Sequence, residues 1–370
     1  MMKKNKKIII SGGGTGGHIF PAISIANALK RIDENIEILF VGAKSKMEMV
    51  RVPDAGYKIV GLPISGFQRR ITLKNISFFF KLFFSILKSK RIINSFKPDV
   101  AVGVGGYASG PLLYIASKKG IPSLIQEQNS YAGITNKLLA KRVDKICVAY
   151  HNMENFFPKE KILFTGNPIR KDLLEIDSKK DDALKYFNLN NKSKVLLIVG
   201  GSLGALTINQ SVLKDLDKFF RGGVQVIWQT GKSFYEKAKF ELLRYNNQEK
   251  RIKIYDFISK MDFAYAAADI IISRAGAGTI SELCLVKKPV ILIPSPNVAE
   301  DHQTKNAIAL VEKNAAVLIK DNQAIELLAD EALSLIKDAD KMKNLSENIS
   351  KLAVANSDEI IANEILKMIE

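Results

Sequence analysis

Three glycine-rich segments, residues 12–17, 103–110 and 200–204, each follow a short apolar run of the β-strand type. Glycines let the backbone turn tightly and let peptide N–H groups approach a ligand. A helix that begins after such a loop adds exposed N–H groups and a partial positive charge. A tight strand-to-helix turn is the alternative for any one loop, but three loops in one chain favour a phosphate-bearing ligand.

The loops do not match two common phosphate sites. None ends in the Gly-Lys-Ser/Thr of a Walker A sequence. The first loop, GGGTGGH, also fits a dinucleotide site poorly, because the segment AKSKMEMV after the next predicted strand offers no acidic residue at the strand end for a ribose hydroxyl. The sequence therefore disfavours an NAD site, and it predicts no other cofactor.

His18 closes the first loop at the start of a predicted helix and is one of three histidines in the chain. A neutral imidazole can take a proton from a hydroxyl near pH 7, and the positive end of a helix favours the neutral form. The alternative is a helix-end histidine that hydrogen-bonds a phosphate or a backbone carbonyl. On the residues alone, both interpretations stay open.

Glu282 lies in the segment SRAGAGTISEL, where glycines again follow a predicted strand. A carboxylate in the first helical turn can accept hydrogen bonds from the two hydroxyls of a ribose. Thr279 and Glu282 also have the spacing of a capping box, which needs no ligand, and spacing alone favours the cap.

Two further polar residues are candidate ligands. Arg170, in GNPIR, is suited to bind phosphates, unless it is a surface residue after a proline turn. Gln303, in EDHQTKNA, could bind sugar hydroxyls, unless this segment is only a solvated helix start. The sequence has neither an H-E-x-x-H motif nor a cysteine cluster, and it predicts no metal site.

The elements that position these residues alternate between predicted strands and helices, which predicts an α/β fold with parallel sheets. We place a domain boundary near Arg170, with domains at 1–170 and 171–370; the last helix is a candidate to return to the first domain. The predicted strands lie in KKIIIS, NIEILFVG, DVAVGVGG, IPSLIQEQN and KICVAY, and then in KVLLIVGG, VQVIWQTG, IKIYDFI, ADIIIS and PVILIPSP.

The formal net charge of +17 predicts attraction to a polyanion, which could be a nucleic acid, an anionic membrane or a phosphorylated substrate. Cys147 and Cys284 each lie in an apolar run, which is typical of buried thiols in a reducing compartment. The apolar run near the N-terminus is too short for a signal peptide, and no run is long enough to span a membrane. We therefore expect a cytoplasmic protein that is soluble or bound at a membrane surface.

Residues 73–93 combine many phenylalanines with lysines and arginine. A basic amphipathic helix rich in Phe is typical of an interfacial membrane segment. The alternative is a core helix whose lysines reach solvent. The residues assigned to a membrane face are Phe78, Phe79, Phe83, Phe84, Lys81 and Lys88.

Seven segments, in order along the chain, together resemble the MurG family of bacterial peptidoglycan N-acetylglucosaminyltransferases. The segments are GGGTGGHIFPA at 12–22, GVGGYASGP at 103–111, EQNSYAG at 127–133, GNPIR at 166–170, GGSLGA at 200–205, SRAGAGTISE at 273–282 and EDHQTKNA at 300–307.

This resemblance implies a GT-B fold, in which two Rossmann-like domains face each other across a cleft, and a metal-independent enzyme. It implies inverting transfer of GlcNAc from UDP-GlcNAc to undecaprenyl-pyrophosphoryl-MurNAc-pentapeptide (lipid I), which gives lipid II. A GT-B transferase that uses a UDP-sugar on another lipid or small-molecule acceptor is the alternative.

The resemblance also implies roles for particular residues. His18 is the leading candidate base for the MurNAc 4-hydroxyl, and Glu127 is the second. Glu282 would bind the ribose hydroxyls, Ile258 would meet the uracil through its backbone, and Gln303 would contact the GlcNAc. The implied donor-binding residues are Thr15, Gly16, Gly17, Asn129, Arg170, Ser202, Ile258, Ala275, Gly276, Thr279, Glu282 and Gln303.

By the same resemblance, the protein would be peripheral at the cytoplasmic face of the inner membrane. The net charge suits such an anionic surface, since each Lys or Arg near it is worth about 1 kcal/mol. Other cell-wall synthesis proteins are candidate partners. Nucleic acid is disfavoured, because no RNA-binding signature occurs in the sequence.

Overall fold

The computed structural model describes residues 5–66, 73–169, 173–201, 203–245 and 249–370. The chain divides into two compact units. Unit 1 comprises Met1–Ile169 together with Asn356–Glu370, and unit 2 comprises Arg170–Ala355.

Both units are built from alternating strands and helices. The strands are β1 (Lys7–Ser11), β2 (Glu37–Ala43), β3 (Lys58–Leu62), β4 (Val100–Gly103), β5 (Ser123–Glu127), β6 (Lys145–Val148), β7 (Ile162–Phe164), β8 (Val195–Val199), β9 (Gln225–Gln229), β10 (Ile252–Tyr255), β11 (Ile270–Ser273), β12 (Val290–Leu292) and β13 (Val317–Leu318). The α-helices are α1 (Gly16–Ile32), α2 (Glu48–Asp54), α3 (Leu73–Phe96), α4 (Ser109–Lys118), α5 (Ile134–Leu139), α6 (Lys180–Tyr186), α7 (Leu206–Lys214), α8 (Leu216–Arg221), α9 (Lys232–Leu242), α10 (Met261–Ala267), α11 (Ala277–Val286), α12 (His302–Val311), α13 (Ala324–Lys337), α14 (Ala339–Ser350) and α15 (Ser357–Lys367).

The sheet of unit 1 has seven strands in the order β3-β2-β1-β4-β5-β6-β7, and every neighbouring pair is parallel. Its interior strand β1 is apolar at successive positions because both of its faces are covered. Ile9 packs with residues of α4 and α5 in one core cluster. Ile8 and Ile10 pack with residues of α1 and α15 in another, so the helices form one layer on each face.

The sheet of unit 2 has six parallel strands in the order β10-β9-β8-β11-β12-β13. Trp228 on β9 is fully buried and belongs to the core cluster of this unit. The two units thus repeat one architecture, as the two series of predicted strands indicated. The sequence pattern did not indicate β3, β7 and β13, which are all edge strands.

Helix α15 belongs to unit 1, although it follows unit 2 in the sequence. Ile361 and Ile365 are fully buried in the core cluster that contains β1 and α1. Two ion pairs flank this apolar contact: Arg31 with Asp358, and Lys145 with Glu364 at 2.6 Å.

The two cysteines are buried and form no disulfide, as expected from their apolar surroundings. Burial raises the pKa of both Cys147 and Cys284 to about 12, so both remain protonated thiols. Within the described residues, no helix is both long enough and apolar enough to cross a bilayer.

Candidate active site

The carboxyl ends of β1 and β4 lie side by side where the strand order of unit 1 reverses. Ligands of open parallel sheets bind in the crevice at such a point. The first two glycine loops follow these two strands. Gly16 and Gly17 are the first residues of α1, where helical N–H groups have no intrahelical partner and suit an anion.

The two loops pack backbone against backbone. Gly106 has a φ of +84°, a conformation that favours glycine, and a Cβ at this position would overlap the carbonyl group of Gly13. Any other residue there would push the two loops apart. The close approach of the loops therefore requires glycine, whatever ligand they bind.

His18 lies in the first turn of α1, for which Thr15 is the N-cap residue. Thr15 Oγ1 is 3.2 Å from His18 Nδ1. Burial lowers the pKa of His18 below its ordinary value of 6.5, while the nearby backbone of Gly13 and the charge of Glu48 act in the opposite direction. His18 is therefore neutral near pH 7, in the form that can accept a proton.

Glu48, the first residue of α2, was not identified from the sequence. Its side chain is fully buried, and its two oxygens accept hydrogen bonds from the N–H groups of Gly14 and Ala43, each at 2.9 Å. The segment AKSKMEMV appeared to offer no acid to a ligand, and Glu48 indeed points to the protein's own first loop. The available signal was a lone acid in the connection after β2, from which a side chain can reach a neighbouring loop.

Glu127, the second candidate base, ends β5 and is 2% exposed. One oxygen accepts hydrogen bonds from the backbone and side-chain N–H groups of Asn129, at 3.1 and 3.2 Å. The other accepts from the N–H of Gly133 at 3.0 Å and from the side-chain amide of Asn136 at 2.8 Å. Four donors use most of the acceptor capacity of a carboxylate, which favours a role in ordering residues 127–136, including Asn129, over a role as base.

The carboxyl ends of β8 and β11 form the corresponding edge of unit 2. The third glycine loop follows β8, and the loop before α11 follows β11. Ala275 in the latter loop is buried, and its carbonyl accepts a hydrogen bond from Asn306 at 3.3 Å. Ser202 and Arg170, two of the predicted phosphate ligands, lie outside the described residues.

Gln229, at the end of β9, connects two of the predicted donor-binding segments and was not identified from the sequence. Its Oε1 accepts a hydrogen bond from the N–H of Ile258 at 2.8 Å, and its Nε2 donates to the carbonyl of Gly201 at 2.9 Å. The N–H of Ile258 is thus engaged within the protein. A nucleobase that contacts the backbone of Ile258 would therefore bind its carbonyl group.

Glu282 does not take part in a capping box. Gly276 is the N-cap residue of α11, with no side-chain cap hydrogen bond, so Thr279 and Glu282 lie farther inside the helix than a capping box requires. The interpretation that spacing alone favoured is therefore wrong. Instead, the Tyr265 hydroxyl donates a hydrogen bond to Glu282 Oε2 at 3.0 Å, and a carboxylate has further acceptor capacity for the hydroxyls of a ribose.

Gln303 lies in the first turn of α12, and its Oε1 accepts a hydrogen bond from the N–H of Ser295 at 2.8 Å. Its NH2 group is then the part suited to donate to a sugar hydroxyl. Nearby in the fold, Arg274 pairs with Asp321 and donates to the carbonyl of Ile293 at 3.0 Å. These bonds connect the ends of β11 and β12 to the segment before α13.

The phenylalanines assigned to a membrane face lie on α3. Phe79, Phe83 and Phe84 are more than half exposed, and so is Phe80, which is not among the residues predicted for that face. Phe78 is partly buried and packs against the core of unit 1. Phe78 therefore belongs to the core side of the helix, and Phe80 belongs to its exposed face.

The two lysines assigned to this face make hydrogen bonds within unit 1. Lys81 donates to Ser65 Oγ at 3.2 Å, and Lys88 donates to the carbonyl of Gly61 at 2.7 Å. Burial and the neighbouring charge of Lys44 lower the pKa of Lys88.

Across the described part of the chain, no group of three or more His, Cys, Asp or Glu side chains is placed to hold a metal ion. Loop and helix N–H groups at the two strand edges are suited to meet a phosphate charge.

Two family models match the chain in succession. The glycosyltransferase family 28 N-terminal domain matches residues 8–148, and the glycosyltransferase family 28 C-terminal domain matches residues 195–361. With the two Rossmann-like sheets, these matches define a glycosyltransferase of the GT-B fold, which confirms the expected fold class.

Several curated relatives share one name, UDP-N-acetylglucosamine–N-acetylmuramyl-(pentapeptide) pyrophosphoryl-undecaprenol N-acetylglucosamine transferase. The one from Parabacteroides distasonis is 58% identical over 98% of this chain and 98% of its own length. The one from Phocaeicola vulgatus is 58% identical over 99% of this chain and 97% of its own length. The chain belongs to this family, the MurG transferases, as its sequence segments indicated.

Solved structures agree with this assignment. MurG of Acinetobacter baumannii superposes with a TM-score of 0.79 at 27% identity, covering 98% of this chain and 99% of that protein. A UDP-GlcNAc 2-epimerase from Neisseria meningitidis, bound to UDP-GlcNAc, superposes with a TM-score of 0.66 at 17% identity, covering 98% and 100%. The second likeness shows the fold alone.

The lowered pKa of His18 predicts how turnover depends on pH. If neutral His18 is the base, kcat/KM falls as the pH drops through the His18 pKa of the free enzyme, so the acidic limb of kcat/KM lies below about 6.5. His18→Gln should lower kcat by about 10²–10⁴-fold and remove this limb, as measured in steady-state assays from pH 5 to 9. If the His18→Gln variant keeps the acidic limb, the limb reports the ionisation of another group.

Proposed function

We propose that this chain transfers N-acetylglucosamine from UDP-GlcNAc to undecaprenyl-pyrophosphoryl-MurNAc-pentapeptide (lipid I), giving lipid II with a β(1→4) linkage. The observation that carries this proposal is the match to relatives named for such a transfer, at 58% identity over 98% of both chains. The match spans both family 28 domains and every loop of the candidate site.

Unit 2 is proposed to hold the donor. Glu282 accepts hydrogen bonds from the ribose hydroxyls, and the Tyr265 hydroxyl supports its carboxylate. The carbonyl of Ile258 meets the uracil, since Gln229 engages the N–H of the same residue. Gln303 donates its NH2 group to a hydroxyl of the sugar.

The departing UDP gains negative charge as the sugar–phosphate bond breaks. We assign the neutralisation of this charge to oriented peptide N–H groups at the starts of α7 and α11, which act without reorganisation during the reaction. Arg170 and Ser202, which lie outside the described residues, are proposed to add to it on the strength of the family resemblance.

In unit 1, the acceptor reaction is assigned to the edge that carries His18. The MurNAc 4-hydroxyl oxygen forms a bond to C1 of GlcNAc, the bond from C1 to the UDP oxygen breaks, and the hydroxyl proton passes to neutral His18. Attack from the face opposite UDP inverts the configuration at C1. Glu127 orders the segment that carries Asn129 and takes no proton in this scheme.

The exposed face of α3 is proposed to lie on an anionic membrane, at the cytoplasmic face of the inner membrane. Phe79, Phe80, Phe83 and Phe84 occupy one side of this helix, and Lys90 and Arg91 are exposed near its end. Apolar rings with nearby cations suit the boundary between headgroups and acyl chains. Other cell-wall synthesis proteins are candidate partners at that surface.

A direct assay tests the proposed activity. We expect the full chain, incubated with UDP-GlcNAc and a lipid I analogue, to form a product with one added GlcNAc, detected by mass spectrometry, in chelator as well as in magnesium. Transfer only to a different acceptor would select another GT-B activity. Turnover that disappears in chelator and returns with magnesium or manganese would contradict neutralisation by peptide groups alone.

Glu282→Ala should weaken UDP-GlcNAc binding by about 10–100-fold, the effect of losing hydrogen bonds between a charged group and two hydroxyls. Glu312→Ala, which removes an exposed carboxylate from the same unit, should leave binding unchanged. Titration calorimetry measures both variants. Equal affinity of the Glu282 variant and the wild type would show that Glu282 has no contact with the donor.

Replacing Phe79 and Phe83 together with Ser should lower binding to anionic liposomes by at least about 10-fold, because burial of each ring contributes about 1.5–3 kcal/mol. Phe240→Ser, which removes an exposed ring from unit 2, is the matched control. Liposome sedimentation at two salt concentrations measures the effect. Undiminished binding of the double variant would remove α3 from the membrane contact.

A further inference from the structure

Glu48 forms a buried connection between α2 and the first glycine loop. None of its side chain is exposed. Oε2 accepts a hydrogen bond from the N–H of Gly14, and Oε1 accepts one from the N–H of Ala43, each at 2.9 Å. A carboxylate withdrawn from water is costly unless such bonds satisfy it, so these two bonds tie the loop firmly to the end of β2.

The backbone around Glu48 is shaped to hold its side chain. A Cβ on Gly13 would overlap the Glu48 carboxylate, and a Cβ on Gly42 would overlap its Cγ. Gly13 also packs against Gly106, where a Cβ would overlap the Gly13 carbonyl group. The Gly13 peptide is therefore in contact with both a carboxylate and the second glycine loop.

The Gly13 peptide in turn meets His18. The backbone of Gly13 lies near enough to the His18 ring to raise its pKa, and His18 Nδ1 is 3.2 Å from Thr15 Oγ1. The ring edge at Cδ2 and Nε2 faces Gly105, where a Cβ would be too close. Among the described residues, the charged group that acts on this ring is Glu48.

We infer that Glu48 is a positioning residue of the transfer reaction, which fixes the Gly13–Gly14 segment and, through the Gly13 peptide, the orientation of the His18 imidazole. This inference rests on the proposed role of His18. Glu48 itself takes no part in bond making, because its oxygens are bonded to Gly14 and Ala43. The N–H of Gly14 is also committed to Glu48, so it is not offered to a substrate phosphate.

The negative charge of Glu48 has a second effect on His18. It favours the protonated imidazole and so raises the His18 pKa, against the larger lowering caused by burial. Removing this charge should therefore lower the His18 pKa further. In a variant that lacks this charge, the acidic limb of the kcat/KM profile should move to lower pH. A purely structural role of Glu48 would not produce this result.

The test compares Glu48→Gln with Asp54→Asn in the full chain. Gln has the size of Glu but lacks the charge and one acceptor oxygen. Asp54 is an exposed acid on the same helix, paired with Arg51 at 3.6 Å. Because the chain has three histidines, His18, His151 and His302, NMR of the imidazole rings follows each one, and His18→Gln identifies the His18 signal.

For Glu48→Gln we expect kcat to fall by about 10–100-fold, the scale of a small misplacement of a catalytic group, with the KM for UDP-GlcNAc within about twofold of wild type. The His18 ring signals should shift and titrate at lower pH, whereas those of His151 and His302 should not change. Asp54→Asn should match the wild type in every measurement. Glu48→Asp, which keeps the charge but has a shorter reach, should lower kcat with a smaller change in the His18 pKa.

A folded Glu48→Gln variant with wild-type kcat would overturn the inference. So would a loss of kcat with unchanged His18 signals, because Glu48 would then not act through His18. If neither Glu48 variant folds, Glu48 serves the stability of unit 1 alone, and the inference fails as well. Failure of the proposed base is a separate result: His18→Gln would keep its turnover, while the ring titrations would still report the effect of Glu48 on His18.

Discussion

Hydrogen bonds from loop peptide groups to buried polar side chains determine the geometry of both candidate binding edges. Loops at the ends of parallel strands carry backbone groups that no strand or helix satisfies, and such groups must find partners when buried. Glu48 accepts a hydrogen bond from the N–H of Gly14 in the first loop of unit 1, and Glu127 accepts hydrogen bonds from the N–H groups of Asn129 and Gly133. In unit 2, Gln229 joins Ile258 to Gly201. Buried side chains therefore hold the loop peptide groups of both edges in place.

This arrangement suits a reaction in which charge moves onto a departing diphosphate. Peptide N–H groups bind such charge best when they are already oriented, since no energy is then spent on reorganising them during the reaction. The glycines allow close approach of the backbone, and the buried carboxylates and amides hold it in place. In unit 1, the same combination of glycine and buried carboxylate occurs at Gly13, which packs against both Glu48 and Gly106.

Most of the fold could be predicted from the sequence, because central parallel strands are continuous apolar runs followed by glycine loops. The strands that the pattern missed, β3, β7 and β13, are edge strands with mixed burial, and β13 has only two residues. The candidate ligands were found through ordered motifs. Glu48 and Gln229 were not found, because each bonds to a loop that follows a different strand. Which loops are neighbours depends on the order of the strands in the sheet, which the motifs do not give. The capping-box interpretation of Glu282 failed because α11 begins at Ala277, after the N-cap Gly276.

The position of α15 has a consequence for how the protein is made. This helix closes one face of the first sheet, yet unit 2, Arg170–Ala355, is synthesised before it. At about 5–20 residues per second on the ribosome, unit 2 delays the arrival of α15 by roughly 10–40 s. During that interval, part of the apolar layer around Ile8 and Ile10 has no cover from its own helix. The nascent first half therefore exposes an apolar sheet face, the kind of surface that chaperones bind.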